Sequence, residues 1–391
     1  MNPGQRELSI YIHYPFCKSK CPYCDFNSHV AAEINHRRFL RAYETELDFF
    51  AAKLRGRKIT TIFFGGGTPS LMPLFLVEGI LKKISALWQV DENCEVTLEA
   101  NPTSFEAAKF KDLRGLGINR LSLGIQALND VDLKFLGREH SAAEAISTIE
   151  IAAKIFENFS FDLIYARPLQ QLDAWRDELL RAIGFGTKHL SLYQLTIEKG
   201  TKFFSEFQQK KFKMPDENLS AQFFEMTNEI TADAGFDAYE ISNYAKKNYQ
   251  SQHNLNYWRG GDYLGIGAGA HSRVYFDHEF LRCGFSLLCA PVAWLKKVEE
   301  QGAGIQKLEQ ISSDELAQEL ILMALRLDEG LRKKNLVEHL HKNFDEIFDS
   351  KKLHKLEEQG LLVVLADALK IPPNKKILTN SIINKVCDSL K

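Results

Sequence analysis

Apolar residues gather in short runs through the first half of the chain, at 9–14, 60–64, 94–98, 120–125, 161–165 and 189–195. Several of these runs are rich in Val, Ile, Leu and Phe without clean alternation, as expected for strands covered on both faces. Between them, at 35–54, 73–88, 104–116, 142–156 and 172–185, apolar positions recur with a helical period. Strand–helix alternation of this kind predicts a parallel sheet. Six such units are fewer than the eight of a closed barrel. The pattern therefore predicts an α/β fold, a partial (β/α)6 TIM-like barrel that is curved and partly open. Chemistry in such folds sits at the carboxyl ends of the strands.

The second half reads differently. Residues 215–234 predict another long helix, 239–244 an additional strand, and the glycine-rich segment 260–270 a tight turn region. A polar stretch at 301–310 marks a change. Beyond it come charged helical segments at 312–326, 333–341 and 349–359, an apolar run at 361–369 and a last helix from Asn380. Helices followed by the hairpin-like 360–371 predict a small C-terminal α+β module, winged-helix-like in shape. That shape alone does not imply DNA binding, and a helical cap on the barrel is the favoured reading. The basic stretches 332–334 and 351–355 have acids close by and read as solvated helix faces, so nucleic acid is not an expected partner. The expected organisation is a barrel over 1–235, a connecting segment over 236–305 and the C-terminal module over 306–391.

Composition changes this picture little. The 391 residues are 45% hydrophobic and 26% charged with a net charge of -2. That suits one large core and a second small domain, and gives no global pull toward nucleic acid or anionic lipid. The opening MNPGQRELS has no apolar signal segment. The longest mostly apolar stretch, 283–295, is short and broken by Pro291, so it cannot span a bilayer as a helix. A reducing cytoplasm is the expected location, and Cys94, Cys283, Cys289 and Cys387, without metal spacing, read as buried or free thiols.

The strongest chemical signal is CKSKCPYC, which places Cys17, Cys21 and Cys24 in a C-x3-C-x2-C spacing directly after the first apolar run. A four-iron, four-sulfur cluster takes one ligand per iron. Three clustered cysteines leave one iron open to a small molecule. The alternatives are a zinc site completed by His13 or His29, a disulfide, or unrelated buried thiols. After the second run come Gly65, Gly66, Gly67, Thr68 and Pro69, and three adjacent glycines let a backbone approach a ligand closely. Glu99 ends the third run, Gln126 the fourth, Arg138 follows in LGREH, and Asp162 lies on the fifth with Arg138 as a candidate partner. Each of these four, taken alone, also fits simple barrel wiring. In HNLNYW, His253, Asn254, Tyr257 and Trp258 stand together: an imidazole with aromatic faces suits a haem, and a buried structural histidine is the plain alternative. His271 competes for the ligand role.

Together YIHYPFCKSKCPYC, the 65–69 loop, the 124–126 strand end and HNLNYW resemble the radical S-adenosylmethionine (SAM) superfamily. More narrowly they resemble the oxygen-independent coproporphyrinogen III oxidase group in its haem-chaperone, HemW-type branch, over nearly the whole chain. The resemblance implies that Cys17, Cys21 and Cys24 ligate a [4Fe–4S] cluster whose fourth iron is chelated by SAM. It implies that Tyr11 and Tyr23 pack the cofactor and cluster, that Gly66, Gly67 and Thr68 contact the methionine end, and that Glu99, Gln126, Arg138 and Asp162 fall where related enzymes bind SAM. It implies haem as cargo, bound at His253 within HNLNYW, and haem-acceptor proteins as partners. A reductant of the flavodoxin or ferredoxin type would supply the electron that cleaves the sulfonium to a 5′-deoxyadenosyl radical. Membrane association and a homodimer are both compatible with a chaperone feeding respiratory proteins.

Two features separate chaperone from oxidase. The oxidases carry a further cysteine two residues past the third; here that position is Phe26. They also have a longer segment before the cluster motif, against sixteen residues before Cys17 here. Both point to the chaperone, with oxidative decarboxylation of coproporphyrinogen III as the alternative; no catalytic side chain is assigned. One departure stands out. After Tyr165 the family has a glycine-containing GLPGQ-like turn, and this chain has Ala166, Arg167, Pro168, Leu169 and Gln170.

Overall fold

The computed structural model describes residues 7–277 and 281–391; residues 1–6, read above as lacking an apolar signal, lie outside the described residues. Twelve strands form one sheet: β1 Glu7–Tyr14, β2 Lys58–Gly66, β3 Gln89–Ala100, β4 Arg120–Gln126, β5 Asn158–Tyr165, β6 His189–Gln194, β7 Asp237–Ala238, β8 Asn243–Ala245, β9 Tyr263–Ile266, β10 His271–Val274, β11 Cys283–Leu287 and β12 Ile305–Gln310. Their spatial order is β12-β11-β10-β9-β1-β2-β3-β4-β5-β6-β8-β7. The six strands expected from the first half are all present, parallel and in sequential order. Among the described residues no pairing joins β7 to β12, so the sheet curves without closing.

Three expectations need correction. The glycine-rich segment 260–270 is not a turn throughout: Tyr263–Ile266 is a seventh parallel strand against β1, with Leu264 and Ile266 buried, and only 267–270 turns. Gly265 suits it because a Cβ there would fall 2.2 Å from the His271 carbonyl oxygen. The polar stretch at 301–310 contains β12, paired with β11, so the sheet runs past residue 305. The single helix expected over 104–116 is two short ones, Ser104–Ala107 and Phe110–Gly115. There Glu106 turns inward to the Ser70 hydroxyl and the Asn101 N–H.

The helices of the barrel are α1 His36–Ala51, α2 Leu74–Leu87, α3 Ala142–Ile155, α4 Leu172–Gly184 and α5 Glu217–Asp233, with a seven-residue α6 Gln252–Trp258 and α7 Pro291–Gln301 further on. Alternate residues of β1 divide the two sides of the sheet. Ile10, Ile12 and Tyr14 join the buried cluster with Phe39, Tyr43 and Phe50 of α1. Ser9, Tyr11 and His13 face the concave side, where Ser9 meets Thr61 and Tyr11 meets His13. Burying a leucine-sized side chain contributes about 1.5–3 kcal/mol, so the helix-facing side carries the stability and the concave side is left for polar groups.

The C-terminal residues form their own buried cluster, from Ile311 to Val386. It comprises α8 Ser313–Ala324, further helices at Lys333–Leu340, Ser350–Glu358 and Thr379–Cys387, and a three-stranded sheet of Leu331–Arg332, Val363–Val364 and Ala368–Lys370. This is the small α+β module expected. No helix among the described residues is long and apolar enough to cross a membrane.

Candidate functional site

The carboxyl ends of β1 to β5 converge on one cavity. Its wall includes Cys17, Cys21, Tyr23 and Cys24 from the loop after β1, Gly66, Gly67 and Thr68 after β2, Glu99 at the end of β3, Gln126 at the end of β4, Arg138, and Asp162 on β5. Residues separated by more than a hundred positions are thus neighbours because parallel strands bring all their carboxyl ends to one side.

The three cysteines are free thiols. A short strand, Phe16–Cys17, pairs with His29–Val30 and pins the loop at both ends. Cys17 Sγ accepts from the Thr68 hydroxyl at 3.4 Å, and Cys21 Sγ accepts from Arg138 Nη1 at 3.3 Å. Burial pushes the Cys17 and Cys24 thiols up; a bound cation reverses that preference. Among the described residues no three His, Cys, Asp or Glu side chains converge on a point where one metal ion would sit. A zinc site requires such convergence. A cluster does not, since each thiolate binds a different iron, and the donor set fits that.

The glycine loop is a cradle that side chains would fill. A Cβ at Gly67 would lie 2.6 Å from the Phe16 carbonyl oxygen, and one at Gly66, where φ is +114°, would lie 2.6 Å from the His13 ring. The Gly66 N–H donates to Glu99 at 3.3 Å. Glu99 is pushed up to about 8, first by burial and then by the charge of Asp162. Asp162 is pushed up to about 6 by burial, opposed by its hydrogen bond to Ser191. Arg138 acts on Asp162 through its charge, but its hydrogen bonds go to Asn101 Oδ1 at 2.6 Å and to the Gly124 carbonyl at 2.9 Å; its buried Nε has no partner among the described residues. Two half-buried carboxyls opposite one guanidinium make a mixed-charge site. It suits a zwitterion that also carries a cationic centre, which is the chemistry of SAM.

Tyr11 is not part of that wall. Its hydroxyl pairs with His13 Nδ1 at 3.0 Å, and its ring stacks on Phe63 and His253 beneath the cavity. Asn101 was missed by the sequence reading: it links Arg138 to the Thr68 hydroxyl. Its position two residues after Glu99 was the available signal.

HNLNYW forms α6, and its side chains do not share a face. His253 is 1% exposed and points into the barrel. Its Nδ1 lies 2.6 Å from Thr61 Oγ1 and its Nε2 2.7 Å from the Tyr257 hydroxyl. Since Thr61 donates to Ser9, Nδ1 carries the proton and Nε2 accepts from Tyr257. Burial and then the Arg120 charge lower the ring to about 3. Trp258 packs on the other side, with Tyr239, Leu255 and Leu327 against the C-terminal unit. Asn254 is half-buried and donates its N–H to Ser251 Oγ. His253 thus stands at the barrel floor with both ring nitrogens hydrogen-bonded, and the expected haem iron would take the place of one of these contacts.

The loop that departs from the family keeps the backbone that glycines would give. Ala166 and Leu169 both have positive φ, +54° and +64°. Arg167 is buried and pairs with Glu178 and, at 3.1 Å, with Asp132.

A model of the Radical SAM superfamily matches residues 11–182, and one of the HemN C-terminal domain matches 311–374. The heme chaperone HemW of Escherichia coli is 36% identical over 379 residues, covering 96% of this chain and 97% of that protein. The chain belongs to the radical SAM superfamily. Within the superfamily it belongs to the HemW-type branch: HemW of Haemophilus influenzae is 36% identical over 97% of this chain and 98% of its own length. The mitochondrial radical S-adenosyl methionine domain-containing protein 1 of Bos taurus is 35% identical over 93% of this chain and 83% of its own length. The solved structure of the Escherichia coli coproporphyrinogen III oxidase HemN superposes with a TM-score of 0.81 at 21% identity, over 98% of this chain and 90% of that one; it shows the same fold. The cofactors of a radical SAM protein are a [4Fe–4S] cluster and SAM.

Proposed function

We propose that this radical SAM protein is a haem chaperone that binds haem and delivers it to haem-requiring proteins. The observation that carries the reading is the end-to-end match to proteins named heme chaperone HemW. Phe26 supports it, standing exposed where the oxidases of the group have a cysteine. Cys17, Cys21 and Cys24 hold the cluster; Gly66, Gly67, Thr68, Glu99, Gln126, Arg138 and Asp162, together with Tyr23, hold SAM. When bound, the cluster supplies an electron to the sulfonium. The chain's own part is to orient that sulfonium, to balance its charge with Asp162, and to keep water from the cavity. A small electron-transfer protein serves as reductant.

The test is a haem titration of anaerobically reconstituted protein, followed by transfer to an apo-haem protein. Saturable binding and transfer are expected. Absence of a saturable Soret shift removes the reading. The alternative, decarboxylation of coproporphyrinogen III, rests on the shared fold; sustained product formation in an anaerobic assay with reductant and SAM would establish it.

A further inference from the structure

Two of the three clustered cysteines face a hydrogen-bond donor: the Thr68 hydroxyl meets Cys17 Sγ, and Arg138 Nη1 meets Cys21 Sγ. The donors come from different loops, one after β2 and the other after β4. A single side chain between them, Asn101, touches both. It is the first residue after β3, and the order of the parallel strands puts β3 between the other two.

The chemistry of its partners fixes which way the Asn101 amide faces. A guanidinium only donates, so the atom 2.6 Å from Arg138 Nη2 is the oxygen, Oδ1. The amide nitrogen is left for Thr68, and Nδ2 donates to the hydroxyl oxygen at 3.2 Å. That hydroxyl has one proton. With its oxygen accepting from Asn101, the proton points at Cys17. The guanidinium is turned in the same way. Its Nη2 is held by Asn101 Oδ1 and the Gly124 carbonyl, which leaves Nη1 on Cys21. One amide thus aims two donors at two thiols far apart on the loop.

Asn101 is itself held in place. Its backbone N–H donates to Glu106 Oε2 at 2.8 Å, and its carbonyl accepts from the Thr103 N–H at 2.9 Å. Glu106 is buried and bonded in turn to the hydroxyls of Ser70 and Thr103. Gly124 leaves room for the Asn101–Arg138 pair, since a Cβ there would come within 3.4 Å of Nη2 and 3.6 Å of Oδ1. Among the described residues Asn101 bonds to no cysteine, so any effect it has on the sulfurs passes through Thr68 and Arg138.

Hydrogen bonds to sulfur are one of the means by which a protein sets the potential of an iron–sulfur cluster. A donor beside a thiolate favours the more negatively charged form, and the reduced cluster carries the extra negative charge. On the reading that Cys17, Cys21 and Cys24 hold the cluster, we propose that Asn101 is a positioning residue. It keeps Thr68 and Arg138 aimed at two of the sulfur ligands and so makes the cluster easier to reduce.

The experiment uses full-length, anaerobically reconstituted protein without SAM. Wild type, Asn101→Leu, Asn101→Asp and Thr68→Val are compared. Three quantities are measured: iron and sulfide per chain, the midpoint potential, and the couplings of exchangeable protons to the reduced cluster by electron–nuclear double resonance. Thr68→Val should remove one coupling present in wild type and so identify the hydroxyl proton. Asn101→Leu should lose that coupling and make reduction about tenfold less favourable, a fall of about 59 mV for one electron. Asn101→Asp still accepts from Arg138 but cannot donate to Thr68. It should lose the hydroxyl coupling and keep those that survive in Thr68→Val. Wild-type couplings and potential in both Asn101 variants overturn the inference and leave the cluster assignment intact. Loss of the cluster from both variants also overturns it, because the residue would then be only structural. A wild type without iron and sulfide overturns the inference and the cluster assignment together.

Discussion

The ring of His253 lies 2.6 Å from the hydroxyl of Thr61, deep in the barrel and on the strand that leads into the glycine loop. The contact makes the second-half motif a plug for the barrel floor. The plug is anchored again at its N-terminus, where Glu95 accepts the backbone N–H groups of Gln252 and His253, each at 3.1 Å. A carboxylate at a helix N-terminus is favourable by itself.

Acid should loosen this plug. The His253 ring titrates at 6.5 in an unfolded chain and at about 3 when folded. As pH falls below the unfolded value, the unfolded state takes up a proton that the folded state refuses. Stability is therefore full above that value and is lost toward the folded one. Denaturant unfolding from about pH 6 to about pH 4 should show a wild-type slope steeper than that of His253→Gln by up to about 1.4 kcal/mol per pH unit. Equal slopes would mean that the ring is not buried neutral.

Replacing any one of Cys17, Cys21 or Cys24 by alanine should remove most of the iron and sulfide from anaerobically purified protein. Metal and sulfide analysis per chain checks this. Zinc in the wild type, or undiminished iron in the triple variant, would refute the cluster assignment.

Arg138 touches a cysteine without being a ligand. Loss of such a partner typically costs about 10–100-fold in metal affinity. Arg138→Gln should therefore retain its fold by circular dichroism but lose the cluster to a chelator at least about tenfold faster than wild type.

Gly67→Ala would place a methyl against backbone, not against a flexible side chain. The Phe16–Cys17 strand must move, taking a thiol with it. SAM binding by calorimetry should weaken by about tenfold or more, which corresponds to about 1.4 kcal/mol. Wild-type affinity would show that the loop does not approach the ligand.

At Ala166 and Leu169 the opposite change should help. Left-handed backbone costs a non-glycine residue about 1–2 kcal/mol, offset in part by the greater freedom of an unfolded glycine. Ala166→Gly and Leu169→Gly should each stabilise by roughly 0.5–1 kcal/mol in denaturant unfolding, with the Arg167–Glu178 pair preserved. A loss of stability in both would show that the conformation at these positions is not strained.

The parallel strands and the cysteine loop were legible because apolar runs and ligand spacing are local properties. So was the gathering of Glu99, Gln126 and Asp162, since all stand at or near strand ends. Tyr263–Ile266 was hidden by Gly265 and the glycines on either side of the strand, which mimic a turn until one sees that β10 leaves no room for a Cβ at Gly265. The fate of His253 was not legible, because the side of the sheet that a seven-residue helix covers depends on tertiary packing. Arg138 was read as a partner of Asp162, which feels its charge, but its hydrogen bonds to Asn101 and Gly124 were not legible, as they depend on the path of the loop after β4. The positive φ at Ala166 and Leu169 ran against local preference and needed the buried Arg167 pair to hold it.

A sheet that never meets itself keeps two free margins, and unpaired margins invite pairing with foreign chains. Here one margin, Asp237–Ala238, is too short to template a partner. The other, Ile305–Gln310, is almost wholly exposed and carries Lys307 and Glu309, whose charges pair with each other. The barrel can therefore stay unsealed, with a way in for a bulky guest, without becoming a seed for aggregation.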